Sequence, residues 1–260
     1  MKIIVTIKQV PNVTKVKWDA DGSLIRAGLP TIINPVDKHA LEAALQLKEK
    51  HGGEIIVISM GPGQVKSALR EALCMGADEV IQLTDRKFAG ADTWATSYAL
   101  GCAIQKIGDY DLIISGVEAM DGNTAQVGPQ LAEYLKLPLL SYALGIESDG
   151  KTIQIQQKLG DVERKIEADL PALITVEKEI NDYRVTPMDK ILEAFEKEIP
   201  VWEAADVDAD LVHLGLKGSP TKLRKVFSPK IEKGKVQMLE GTPEEIARQV
   251  ADKLNEKFLI

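Results

Sequence analysis

Residues 115–129, SGVEAMDGNTAQVGP, have the composition of a loop that holds an anion. They follow an apolar run, YDLII at 110–114, that reads as a buried parallel strand, and they lead into QLAEYL at 130–135, which reads as a helix. A loop carrying Gly116, Asp121 and Gly122 between a strand and a helix can turn backbone N–H groups toward an anion. Thr124 and Gln126 add neutral donors, and the stretch contains no Lys or Arg. The chemistry implied is a phosphate held mainly by dipoles. The plainer reading is an ordinary turn capped by Asn123 or Thr124, and this stretch alone leaves both open. Neither of the common Gly-rich nucleotide fingerprints is present.

Other chemistry finds little support. His39, His51 and His213 do not cluster, so no metal site is expected. No His pairs with a Ser or Cys in a motif, and no carboxylate pair is placed for acid–base work. Any reaction would therefore belong to a bound cofactor. Cys74 and Cys102 lie in apolar helical contexts and read as reduced core thiols. A formal charge of −7 and a pI near 5.2 argue against nucleic acid or an anionic membrane as partner. Aromatic residues at 5% leave little for stacking on single strands. The chain starts on a strand-like run, KIIVTI at 2–7, with no signal peptide and no apolar run long enough to span a bilayer, so a cytoplasmic protein is expected.

The loop needs a scaffold, and the pattern supplies one. Strands are expected at 3–7, 54–59, 78–83 and 112–115, with helices at 34–50, 64–76, 91–107 and from 130. Asn34-Pro35 reads as N-cap and first helical residue, and Asp92 or Thr93 as the cap of the third helix. Residues 12–33 read as an excursion with a hairpin at Asp21-Gly22. This alternation implies an α/β fold: a mostly parallel sheet with helices on both faces. Ligands bind such sheets beyond the carboxyl ends of the strands, where residues 8–11, 59–63 and 115–128 would meet, joined by Asn34. After Pro138, strands at 143–147, 152–157, 162–167 and 172–176 are expected, two or three of them pairing antiparallel at the edge. A short charged helix follows at 189–198. Residues 201–210 read as linker and 216–241 as an extended arm; Thr242-Pro243-Glu244-Glu245 starts a final helix with Ile246, Val250, Leu254 and Phe258 as its stripe. The expected division is a nucleotide-binding domain over 1–200 and a linker, arm and helix over 201–260.

Six stretches resemble the beta subunit of electron-transfer flavoproteins: IKQVP at 7–11, NPVD at 34–37, SMGP at 59–62, ALCMGAD at 72–78, DGNTAQVGP at 121–129, and GD at 160–161 through LPALITV at 170–176. They keep the family's order over nearly the whole chain. The resemblance implies an α/β nucleotide-binding domain of the adenine-nucleotide alpha-hydrolase-like kind, with a C-terminal arm docking on an alpha subunit. It implies electron transfer from dehydrogenases through FAD. It assigns nucleotide contacts to Thr6, Lys8, Asn34, Asp37, Met60, Gly116, Asp121, Gly122, Asn123, Thr124, Ala125, Gln126, Val127 and Gly128. Backbone N–H groups of 122–126 would hold phosphates, while Asn34 and Asp121 would meet ribose, adenine or backbone, since a carboxylate repels a phosphate. Helix capping is the simpler account of Asp37, and packing that of Met60.

Family members holding AMP usually read Asn-Gln-Thr late in the long loop. Here 124–129 is TAQVGP, which resembles members that hold a second FAD, take hydride from NADH and bifurcate electrons. Gly128 would then let backbone approach the flavin ring. The implied partners are an alpha subunit, an acyl-CoA dehydrogenase, and ferredoxin or flavodoxin. The alternatives are a carrier subunit with structural AMP and a stand-alone nucleotide sensor. Residues 184–199 match the family's partner-recognition loop in position, with Met188, Ile191 and Leu192 as apolar contacts; Met suits an adaptable surface. This loop departs from the familiar basic version by mixing Glu193, Glu196 and Glu198 with Lys190 and Lys197.

Overall fold

The computed structural model describes residues 1–12, 30–186, 188–222, 224 and 236–258. The chain divides into two compact units, Met1–Arg224 and Lys225–Ile260. The expected boundary at residue 200 falls inside the first unit.

A nine-stranded sheet organises that unit. Its strands are β1 (Lys2–Thr6), β4 (Glu54–Met60), β5 (Glu79–Leu83), β6 (Leu112–Gly116), β7 (Leu139–Ser148), β8 (Thr152–Leu159), β9 (Val162–Asp169), β10 (Ala172–Val176) and β11 (Val201–Trp202). Their spatial order is β11-β5-β4-β1-β6-β10-β7-β8-β9. Pairing is parallel from β11 to β7 and antiparallel across β7, β8 and β9. The antiparallel edge agrees with expectation. A short pair, β2 (Gln9–Pro11) and β3 (Thr31–Ile33), runs antiparallel outside the sheet. It brackets the excursion, and the hairpin expected at Asp21-Gly22 lies outside the described residues.

Helices α1 (Pro35–His51) and α2 (Lys66–Met75) cover one face; α3 (Thr93–Ile107) and α4 (Val127–Leu135) cover the other. The period of two along β1 explains this. Ile3 and Val5 enter the α1–α2 core, and Ile4 enters the opposite one. Both faces are buried, so the parallel strands read as continuous apolar runs. The chain steps outward from β1 through β4 to β5, then returns to place β6 on the other side of β1. The order thus reverses between β1 and β6, which opens a crevice beyond their carboxyl ends.

The stretch after residue 200, read as linker, instead adds β11 to the edge: Gln82 N–H donates to the Pro200 carbonyl at 2.9 Å. Ala204, Val207 and Leu214 are buried beyond it, and α6 (Gly215–Gly218) follows. A two-residue strand in an acidic context has no periodicity to read. In the second unit, α7 (Pro243–Glu256) has the expected start. Thr242 Oγ1 accepts from Glu245 N–H at 3.3 Å, and the Glu245 carboxylate accepts from Thr242 N–H at 2.8 Å. Among the described residues no helix is long and apolar enough to cross a membrane.

Candidate functional site

The carboxyl ends of β5, β4, β1 and β6 open into one cavity of about 940 Å³. Of the expected contacts, Thr6, Lys8, Asp37, Met60, Gly116, Gly122, Thr124, Ala125, Gln126, Val127 and Gly128 line it. Asn34, Asp121 and Asn123 do not, and the first two act one layer behind.

Asn34 is buried and stands at the N-cap position of α1 without capping it. Its Nδ2 donates to the Glu118 carbonyl at 2.8 Å, and its Oδ1 accepts from Met120 N–H at 3.1 Å. It therefore fixes the start of the long loop against α1. Asp121 accepts from Lys8 Nζ at 2.5 Å, which ties the same loop to the end of β1.

Asp37 is buried, and its Oδ2 accepts from Lys8 N–H at 2.7 Å. Burial pushes its pKa up to about 7, against the hydrogen bonds from Lys8, Asn34 and Gly116 that favour the charge. Lys8 follows β1 and Gly116 ends β6, so with Asn34 at the start of α1 the carboxyl joins the two strands to the helix at the crevice. Gly116 is required beside it: a Cβ there would collide with the Asp37 carboxyl oxygen.

In the long loop, Asn123 and Ala125 hold φ of 46° and 53°, and Gln126 follows at φ −107°, ψ −20°. Alternation of handedness in successive residues turns N–H groups to one side, making an anion-binding concavity. Neither Asn123 nor Thr124 caps α4; Gln126 takes the N-cap position with no side-chain hydrogen bond. The plain turn-and-cap alternative is therefore not what forms, and first-turn N–H groups of α4 remain at the cavity wall. Ser115 Oγ, also in the wall, is buried with no hydrogen-bond partner. Such a hydroxyl is costly unless something else satisfies it. It is the last residue of β6 before the terminal Gly116, a position that could have marked it in the sequence.

Gly128 has a cause within the fold itself. A Cβ there would meet Thr175 Cγ2 at 2.5 Å and Ser115 Oγ at 3.2 Å. The close packing of α4 on β6 and β10 by itself calls for glycine here, at a position that also lines the cavity.

The wall formed by Leu83 to Thr96, with Thr221, went unread in the sequence. Its signal was there: a strand ends at Leu83, Gly90 follows at φ 73°, and Asp92 caps α3 through Ala95 N–H at 3.0 Å. Among the described residues no group of His, Cys, Asp and Glu could hold a metal ion.

Away from the cavity, α5 (Met188–Glu196) rests its inner side on α2. Ala194 is buried and Ile191 packs against the core, so of the three expected contacts Ile191 faces inward. Met188 and Leu192 are exposed, and Phe195 continues their stripe at helical spacing.

Comparison with known proteins adds a relationship to this geometry. The family description "Electron transfer flavoprotein domain" matches residues 21–207. The chain is 48% identical over 261 residues to the electron transfer flavoprotein subunit beta of Clostridium acetobutylicum, covering 100% of both chains. It is 44% identical to the caffeyl-CoA reductase-Etf complex subunit CarD of Acetobacterium woodii, and 41% identical to the acryloyl-CoA reductase electron transfer subunit gamma of Anaerotignum propionicum, again with 100% coverage of both. The chain belongs to the electron transfer flavoprotein family, as a beta subunit.

Proposed function

We propose that this subunit holds FAD in the cavity, pairs with an alpha subunit, and accepts hydride equivalents from NADH. Electrons then divide between a high-potential path, through the alpha-subunit FAD to an acyl-CoA dehydrogenase, and a low-potential acceptor such as ferredoxin or flavodoxin. The observation that carries the reading is the reach of the cavity. It spans the ends of four adjacent strands, roughly 14 Å at three strand spacings. Its volume of about 940 Å³ lies at the upper end for small-molecule sites. A mononucleotide would occupy only the end near the long loop.

The residues fit a dinucleotide. The Gly122 and Asn123 N–H groups donate to the Ala119 carbonyl at 3.1 and 2.8 Å, so backbone N–H groups of 124–126 would hold the diphosphate, Ser115 Oγ supplies a buried polar group, and Ile7, Met60, Leu83, Phe88 and Leu100 offer apolar wall. When bound, FAD supplies the exchange between two-electron and one-electron chemistry. The protein's part is to orient it, exclude water and set the local electrostatics. The relatives named for caffeyl-CoA and acryloyl-CoA reductase complexes support a partner of the acyl-CoA dehydrogenase kind. The exposed Met188, Leu192 and Phe195 stripe is the surface offered to it.

The competing reading is AMP at the long-loop end. Denaturing the purified assembly and quantifying released nucleotides separates them. The proposal expects two FAD and no AMP per alpha–beta pair; one FAD and one AMP would overturn it.

A further inference from the structure

Thr221 is the one cavity-lining residue drawn from beyond Gly128 among those described. It lies three residues before the first compact unit ends at Arg224. Its place is set by Asp92. The Asp92 Oδ2 accepts from Thr221 N–H at 2.9 Å and from Thr221 Oγ1–H at 2.7 Å, while Oδ1 caps α3. Asp92 N–H donates to Ser219 Oγ at 2.8 Å, and Ser219 Oγ donates to the Gly215 carbonyl at 2.7 Å. Leu216 N–H donates to the Ala89 carbonyl at 2.9 Å.

The approach is close enough to dictate residue types. Gly215, at φ 54°, sits against the carbonyls of Lys87 and Ala89, and Gly90, at φ 73°, sits against Leu216. Segment 215–221 is thus docked onto the 87–92 wall by one carboxylate and two tight glycine contacts. Burial opposes the Asp92 charge, but the N–H and O–H donors prevail and hold its pKa below the usual range.

We propose that Thr221 contacts the nucleotide in this cavity and that Asp92 positions it, so that ligand binding is coupled to the anchoring of the chain where it leaves the sheet unit. The inference rests on the FAD reading above. Its chemistry is specific. The Thr221 hydroxyl proton is given to Asp92, so toward the cavity the oxygen can only accept. It suits a donor on the ligand, a sugar or ribityl hydroxyl, and not a phosphate. The anion-holding groups are at the opposite, β6 end. A ligand that spans both ends ties the long loop to the root of the C-terminal segment, and by linkage the anchored root favours the ligand.

The test uses the complete assembly, stripped of nucleotide and reloaded with FAD, with AMP in a parallel arm. Hydrogen exchange is followed at 89–95, 122–128 and 219–222. FAD is expected to slow exchange at all three, and AMP at 122–128 alone. Thr221→Val is expected to weaken FAD about fivefold, the size of one hydrogen bond, and to abolish the slowing at 219–222. Thr221→Ser should behave as wild type. Asp92→Asn retains a capping oxygen for α3 and should reproduce the Thr221→Val pattern. Slowing confined to 122–128 with FAD, and Thr221→Val binding FAD as wild type, would overturn the inference while sparing the FAD reading. Wild type that binds AMP but not FAD would overturn that reading, and this inference with it.

Discussion

Gly128 in α4 faces the Thr175 methyl of β10 with no room for a side chain between them. The contact sets how deeply α4 sits on the sheet, and so where its first turn meets the cavity. Gly128→Ala is expected to cost about 1–3 kcal/mol by overpacking. Thr175→Ser removes the methyl and keeps the Oγ that accepts from Tyr142 N–H at 3.1 Å. The double variant should recover most of the loss in urea unfolding. Additive losses would place the cause elsewhere.

Asp37 predicts a pH dependence. Its folded pKa, raised by burial to about 7, exceeds its ordinary value of 3.8. Between these values the folded state holds a proton that the unfolded state has released. Its contribution is therefore complete below pH 3.8 and is lost as pH rises through 7, at no more than about 1.4 kcal/mol per pH unit. Asp37→Asn removes that fall. Unfolding free energies measured from pH 4 to 8 should decline less steeply in the variant than in wild type.

Arg184 predicts how the α5 surface is held. Its fork takes the buried Glu42 carboxylate at 2.8 and 2.9 Å, and its third nitrogen reaches Glu49 at 2.7 Å. Burial works against the Glu42 charge, but Arg184 outweighs it and keeps the pKa low. Arg184→Met leaves that buried carboxylate with Gln46 but without its ionic partner, at a cost of about 1–3 kcal/mol. Hydrogen exchange across 181–196 should accelerate while 122–128 is unchanged.

Ala125 holds φ of 53° in the loop that shapes the anion concavity. A left-handed non-glycine residue costs about 1–2 kcal/mol, and glycine gives back about 0.5–1 in chain entropy. Ala125→Gly should therefore stabilise by roughly 0.5–1 kcal/mol, read as a small rise in Tm. A fall would mean that the Ala125 methyl makes packing contacts that outweigh the strain.

The sheet was legible because parallel strands buried on both faces leave runs such as 54–59 and 112–115. The loops were legible because Asn34-Pro35 and the glycines of 115–128 mark turns. The causes of individual residues were less so. Gly128 depends on Thr175, and Asn34 spends its amide on Glu118 and Met120, far away in sequence. The 83–96 wall follows the same strand–glycine–cap grammar as the other loops but joins the cavity only through the strand order. Thr221 could not be placed without knowing that 201–221 folds back on the sheet edge. Asp37 looked like a helix-capping residue locally, and only tertiary contacts make it the join between β1 and β6.

The central claim is that this subunit carries an NADH-reducible FAD. Anaerobic rapid mixing of the nucleotide-replete alpha–beta assembly with NADH, followed by visible flavin absorbance, tests it most directly. The account predicts that NADH bleaches flavin in wild type. It further predicts slower bleaching and weaker FAD retention in Thr221→Val. An assembly whose flavin absorbance NADH leaves unchanged, with AMP recovered from the beta cavity, would contradict it.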